Sequence, residues 1–158
     1  MRKKVAAAVL ISVFFYLNAY ASDPALLSLR GKLFSESQEL KSALTSSQDP
    51  VLVSSMWDSC IISLTQIDAY FSMLGIFNTI KKEDSSRAAA DYLSGWLNEI
   101  QRTNDLNIKS LESVSLITDQ VTKDHMEKLK VYFSELNTQI GVELKKVYPL
   151  TLNFKNKK

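Results

Sequence analysis

One cysteine and one histidine hold most of the reactive chemistry this chain could offer. Cys60 is followed by Ile-Ile-Ser-Leu, so the Cys-x-x-Cys-His attachment of a c-type haem is absent, and a lone thiol forms no internal disulfide. The balance of chemistry favours a small buried hydrophobe over a reactive thiol, the other route being a disulfide to a second copy of the chain. His125 stands near Asp119, Asp124 and Glu127. One imidazole among carboxylates holds a metal weakly; the spacing fits no zinc set, and the paired Glu-x-x-His of di-iron bundles is missing. The sequence therefore predicts a capping cluster at a helix start, with no metal and no cofactor. A single histidine on a turn assembles no nucleophile–base triad, and no phosphate loop is present, so no catalytic residue is assigned and a non-enzymatic chain is expected.

The remaining candidates are polar residues that interrupt leucine-rich stripes. Glu36 or Ser37 fills the gap in Leu26, Leu29, Leu33, Leu40 and Leu44, and Asn104 and Asn107 interrupt a stripe that includes Leu93, Leu97, Ile100 and Leu111. Folding the chain about Lys82 brings together residues whose numbers sum to about 167, so Cys60 meets Asn107 and Leu64 nears Asn104. Folding about Gln48 or Asp49 brings Glu36 or Ser37 level with Cys60. Glu36, Ser37, Cys60, Asn104 and Asn107 are thus expected at one level inside the fold. Such a layer either fixes helix register, at a cost in stability, or lines a small polar ligand site. The register device is the favoured reading.

These residues need helices to position them. Val53, Trp57, Cys60, Leu64, Ile67, Phe71 and Leu74 recur at three- and four-residue steps, the stripe of an amphipathic helix. Ile61, Ile62, Tyr70, Met73 and Ile76 widen it, which predicts a central helix touching several neighbours. Asp23-Pro24 and Asp49-Pro50 pair an N-cap residue with the one position where proline costs no hydrogen bond. The register from Leu93 runs unbroken to Val121, and a new one starts at Met126, so a turn is expected within 118–124, with Asp124 and Glu127 in capping-box spacing. Tyr148-Pro149 should stop the last helix. Gly31, Gly75, Gly95 and Gly141 fall inside helical patterns and suggest close helix approach. The expected fold is all-α: an antiparallel up-down-up-down four-helix bundle of long helices at about 24–46, 50–81, 85–118 and 124–147.

The first 21 residues are of another kind. Arg2, Lys3 and Lys4 precede an apolar run from Val5 to Leu17, and Ala19-Tyr20-Ala21 supplies small residues for a peptidase. This is the layout of a secretory signal peptide cleaved after Ala21; the run falls short of the ~20 residues a bilayer span needs. Residue 22 is serine, so lipoprotein acylation is not indicated. Three of the 19 basic residues lie in this leader and none of the 17 acidic ones, leaving 16 basic against 17 acidic groups in residues 22–158. That near-neutral balance argues against a nucleic-acid partner. The residues 22–150 are enough for one domain, and 151–158 form a basic tail.

The sequence thus predicts an exported helical protein, periplasmic or secreted, with no transmembrane segment after cleavage, that acts through a protein partner or self-association. The alternative is a small-ligand carrier or sensor using the polar layer.

Overall fold

The computed structural model describes residues 24–79, 83–114, 117 and 119–152. The expected signal peptide and the end of the basic tail lie outside them. Among the described residues the chain is all-helical, with four helices: α1 (Pro24–Ala43), α2 (Pro50–Thr79), α3 (Glu83–Glu112) and α4 (Gln120–Leu152). No strand occurs among the described residues. Each helix packs on its neighbour in sequence, and α1 also packs on α4; the most extensive contact is between α3 and α4.

Of the two expected aspartate–proline starts, Asp23 lies outside the described residues, and α1 begins at Pro24. At α2, Asp49 Oδ1 accepts the Leu52 amide at 3.0 Å, and the Asp49 carbonyl accepts the Val53 amide at 3.1 Å. That is an N-cap, which satisfies an amide the first turn leaves orphaned. The amide of Asp49 is itself held by Ser47 Oγ at 2.9 Å. α1 stops at Ala43, short of the expected 46, because the amides of Ser46 and Ser47 both turn back onto the Ala43 carbonyl.

The C-terminal half departs further from expectation. The heptad register runs to Val121, but the helix carrying it ends at Glu112. Ser113 donates its hydroxyl to the Ser110 carbonyl at 2.7 Å, and Val114 and Ile117 fold back as partly buried connector residues. Apolar spacing cannot distinguish a helix from a loop whose side chains also reach the core. α3 ends at Glu112 and α4 begins at Gln120, so residues 120–124, expected in the turn, are helical. Asp119, not Asp124, caps α4: its carboxylate accepts the Val121 amide at 3.1 Å and the Thr122 hydroxyl at 2.6 Å. α4 also continues through Pro149 to Leu152. A proline removes only its own bond to the carbonyl four residues back, so the helix can run past it with a kink.

The core is built from one stripe per helix. Leu26, Leu29, Leu33 and Leu40 are buried on α1, Leu93, Leu97 and Ile100 on α3, and Leu129, Phe133, Leu136 and Ile140 on α4. Each such side chain contributes about 1.5–3 kcal/mol when fully buried. On α2 the expected stripe residues Val53, Cys60, Leu64, Ile67 and Phe71 are buried, but the stripe widens to one side only. Met56, Ser63 and Tyr70 are buried, Trp57 is only partly so, and Ile61, Ile62 and Ile76 are 37%, 49% and 62% exposed. α2 is therefore less central than expected, and α4 buries more of its described residues than any other helix. Among the described residues, the stretch Pro50–Phe77 is long and apolar enough to cross a membrane by length and composition alone.

Gly31, Gly95 and Gly141 do not mark close approach: a Cβ added at any of them meets nothing within 4 Å. With open space and helical backbone, alanine at each should stabilise by ~0.5–1 kcal/mol, since glycine loses more entropy on entering a helix. Denaturant unfolding of the triple variant checks this, and a lower midpoint would mean that something packs there after all.

Candidate functional site

The polar residues expected at one level separate into two networks. The first joins α1 to α4. Glu36 is 2% exposed, and its Oε1 lies 2.5 Å from Nδ1 of His125, itself 8% exposed. Lys128, one turn further along α4, places Nζ 3.5 Å from Glu36 Oε2 and 3.2 Å from Glu39 Oε2. His125 is thus no cap on a turn: Asp119 performs the capping, and the imidazole points inward against a buried carboxylate. Lys128 is held above the ordinary lysine range, first by its hydrogen bond to Glu39, then by the Glu36 charge working against partial desolvation. Ser37, although buried, donates at 2.7 Å to the Phe34 carbonyl of its own helix and so joins no interhelical network.

Cys60 lies within the electrostatic reach of Glu36 and is fully buried. Burial pushes its thiol up to about 12, and the Glu36 charge pushes in the same direction. A disulfide to a second copy would require the helices to open. At a pH of about 8 the native thiolate is on the order of one in ten thousand, far below the share of a free cysteine. Iodoacetamide should therefore leave Cys60 unmodified in the native protein and alkylate it once denaturant unfolds the chain. Rapid native labelling followed by mass spectrometry would contradict the buried position.

The second network joins α2, α3 and α4. Ser63 Oγ donates to Asn104 Oδ1 at 3.2 Å, Asn104 Nδ2 to Asn137 Oδ1 at 3.1 Å, and Asn137 Nδ2 to Asp105 Oδ1 at 2.6 Å. Asn104 is completely buried and both ends of its amide are used. Asn107 is a peripheral member: Ser59 Oγ donates to its Oδ1 at 3.4 Å, while its Nδ2 is buried without a partner. The pairs Ser63–Asn104 and Ser59–Asn107 have sums near the expected value, but the partners are serines, not Leu64 and Cys60. Leu64 and Cys60 are buried as expected, and the hydroxyls that meet the asparagines belong to the residues just before them. Glu36 acts on Cys60, and Asn107 is bonded by Ser59 beside it, so these three expected residues lie near one another, while the hydrogen bonds run in two separate networks.

A third buried contact was not expected. Tyr70 donates its hydroxyl to Glu143 Oε2 at 2.7 Å, and Lys146 pairs with the other oxygen of Glu143, which is 4% exposed. His125 and Glu143 sit next to the stripe positions Met126 and Leu144 on α4, and Thr122 lies one turn before Met126. Reading that stripe as two residues wide and one turn longer would have included all three.

Substitution of the two asparagines should have opposite effects. Asn107→Leu removes an unpartnered buried donor and should stabilise by about 1 kcal/mol. Asn104→Leu strands Ser63 Oγ and one end of Asn137, and should destabilise by ~1–3 kcal/mol. Equal shifts in chemical unfolding would show that the two positions share one environment.

No family model matches the chain, and comparison with curated proteins and with solved structures gives no match.

Proposed function

We propose that the protein is exported, loses residues 1–21 after Ala21, and acts in the bacterial periplasm or outside the cell as a non-enzymatic, antiparallel up-down-up-down four-helix bundle that docks on a protein partner or a second copy of itself. Antiparallel order is supported by pairs with near-constant number sums: Ser63–Asn104 and Ser59–Asn107 between α2 and α3, and Lys32–Glu135 and Glu39–Lys128 between α1 and α4. Export is supported by the basic start, apolar run and Ala-Tyr-Ala of the leader.

The observation that carries the docking reading is the distribution of large apolar side chains outside the core. Ile76 on α2 and Tyr92 on α3 fall at the same register and are 62% and 63% exposed, and Phe34 on α1 is 52% exposed. The interior polar groups, by contrast, are mostly engaged in holding helices to one another. Exposed apolar area of this kind is what an interaction surface uses. α2 is read as a bundle helix and not a membrane span, because Ser63 and Tyr70 are tied to α3 and α4, and Asp68 forms a two-pronged ion pair with Arg30 at 2.6 and 2.9 Å. Light scattering of the purified protein and cross-linking in the native envelope test the reading. A strictly monomeric protein that cross-links to nothing would end it.

A second reading, a small-ligand carrier or sensor, is favoured by one observation: Trp57 Nε1 and Asn107 Nδ2 are buried donors without partners. A ligand offering carbonyl or carboxylate oxygens would satisfy them. Loss of a ligand-induced thermal shift in Asn107→Leu would separate this reading from the first.

A further inference from the structure

Three side chains with metal-ligating atoms converge where α1 meets α4. Glu36 and Glu39 are three positions apart on α1 and so share a helix face, and His125 approaches from α4; one ligand atom from each lies within 4.8 Å of the others. Two of the three are fixed by burial, Glu36 at 2% and His125 at 8% exposure, whereas Glu39 stands at the solvent mouth. A cation already occupies this mouth. The ammonium of Lys128 bridges both carboxylates at 3.5 and 3.2 Å.

We propose that Glu36, Glu39 and His125 form a binding site for a zinc-class divalent cation, which enters by displacing the Lys128 ammonium and then clamps α1 to α4. The donor set argues for the class of ion. One imidazole nitrogen with two carboxylate oxygens suits zinc, nickel or copper, whereas magnesium and calcium prefer oxygen alone. The geometry needs only local change. A tetrahedral ion with bonds of about 2.1 Å holds its donors ~3.4 Å apart, so the Glu36–His125 contact widens by under ~1 Å and Glu39 swings inward. Lys128 is 45% exposed on its side chain and can move into water. Three protein ligands leave a fourth position for water, as in an open zinc site.

The site also has a built-in competitor, which gives the test its sign. Lys128→Met removes the resident cation without touching a ligand, and should tighten zinc binding about tenfold. Glu39→Gln removes the exposed ligand and should weaken it at least tenfold, the scale on which perturbing a metal site acts. Glu39 is half-exposed, so this variant keeps the fold, and circular dichroism verifies that it does. The experiment is calorimetric titration of the purified protein with zinc chloride, with magnesium chloride as the control and cobalt(II) as a visible-absorbing substitute. One zinc per chain, visible cobalt bands that disappear when zinc is added, no response to magnesium, and opposite shifts in the two variants are expected. No zinc binding, or binding indifferent to both Glu39→Gln and Lys128→Met, would overturn the site.

Discussion

His125→Leu should lower stability by about 3 kcal/mol, the scale on which leaving a buried carboxylate without its partner acts, and the melting temperature by roughly 10 °C. Leucine fills nearly the same volume, so little of this loss comes from packing. It comes from Glu36, whose carboxylate is 2% exposed and would lose the imidazole 2.5 Å away. Lys128 at 3.5 Å supplies partial compensation, which is why the expected loss stands at the lower end of the ~3–5 kcal/mol seen for broken buried pairs. The decisive comparison is the double variant Glu36→Leu with His125→Leu. Replacing both partners by apolar groups removes the stranded charge, and Lys128 retains Glu39 at 3.2 Å, so most of the loss should be recovered. Thermal unfolding of the two single variants and the double variant measures this. If the double variant loses as much as the two singles together, the groups are not coupled and the α1–α4 network is not a stability element.

Phe133→Ala should cost ~3–5 kcal/mol, the range for removing a buried aromatic ring. Phe133 is fully buried on α4, between Leu129 and Leu136 on the same stripe. The ring is large and its neighbours on the stripe are themselves buried, so the helix has limited freedom to collapse into the space left behind. Phe34→Ala is the internal control, since the same residue type on α1 is 52% exposed. In an isolated chain it should change stability by under ~0.5 kcal/mol. Urea unfolding of both variants separates the cases. A Phe133→Ala cost below ~1 kcal/mol would mean that the core does not run through the middle of α4. A large, concentration-dependent cost for Phe34→Ala would instead reveal a second copy covering α1, in line with the proposed docking.

How much of this was legible beforehand differs from residue to residue. The helical class and the starts of α1 and α2 could be read directly, because an apolar stripe at 3.6-residue spacing and an Asp-Pro cap are local facts of the chain. Asp49 needs only its own next four residues to cap α2, and they are adjacent in any fold. Leu26, Leu29, Leu33 and Leu40 likewise appear in the core because no other face of α1 could enter it. The end of α3 was not legible. Val114 keeps the heptad spacing although it lies in a connector, and spacing records which side chains reach the core, not whether the backbone between them is helical.

The polar residues illustrate the remaining division. That Glu36 and Asn104 interrupt apolar stripes, and would therefore need buried partners, was determined by the sequence alone. Which partners they find was decided by the rotation of each helix about its axis. Successive residues are ~100° apart around an α-helix, so the orientation of α2 that buries Leu64 also sets Ser63 against Asn104, and the orientation of α4 sets His125 against Glu36. That rotation is fixed only when all four stripes pack against one another at once, because the free energy it optimises is shared among helices and is not written in any single one.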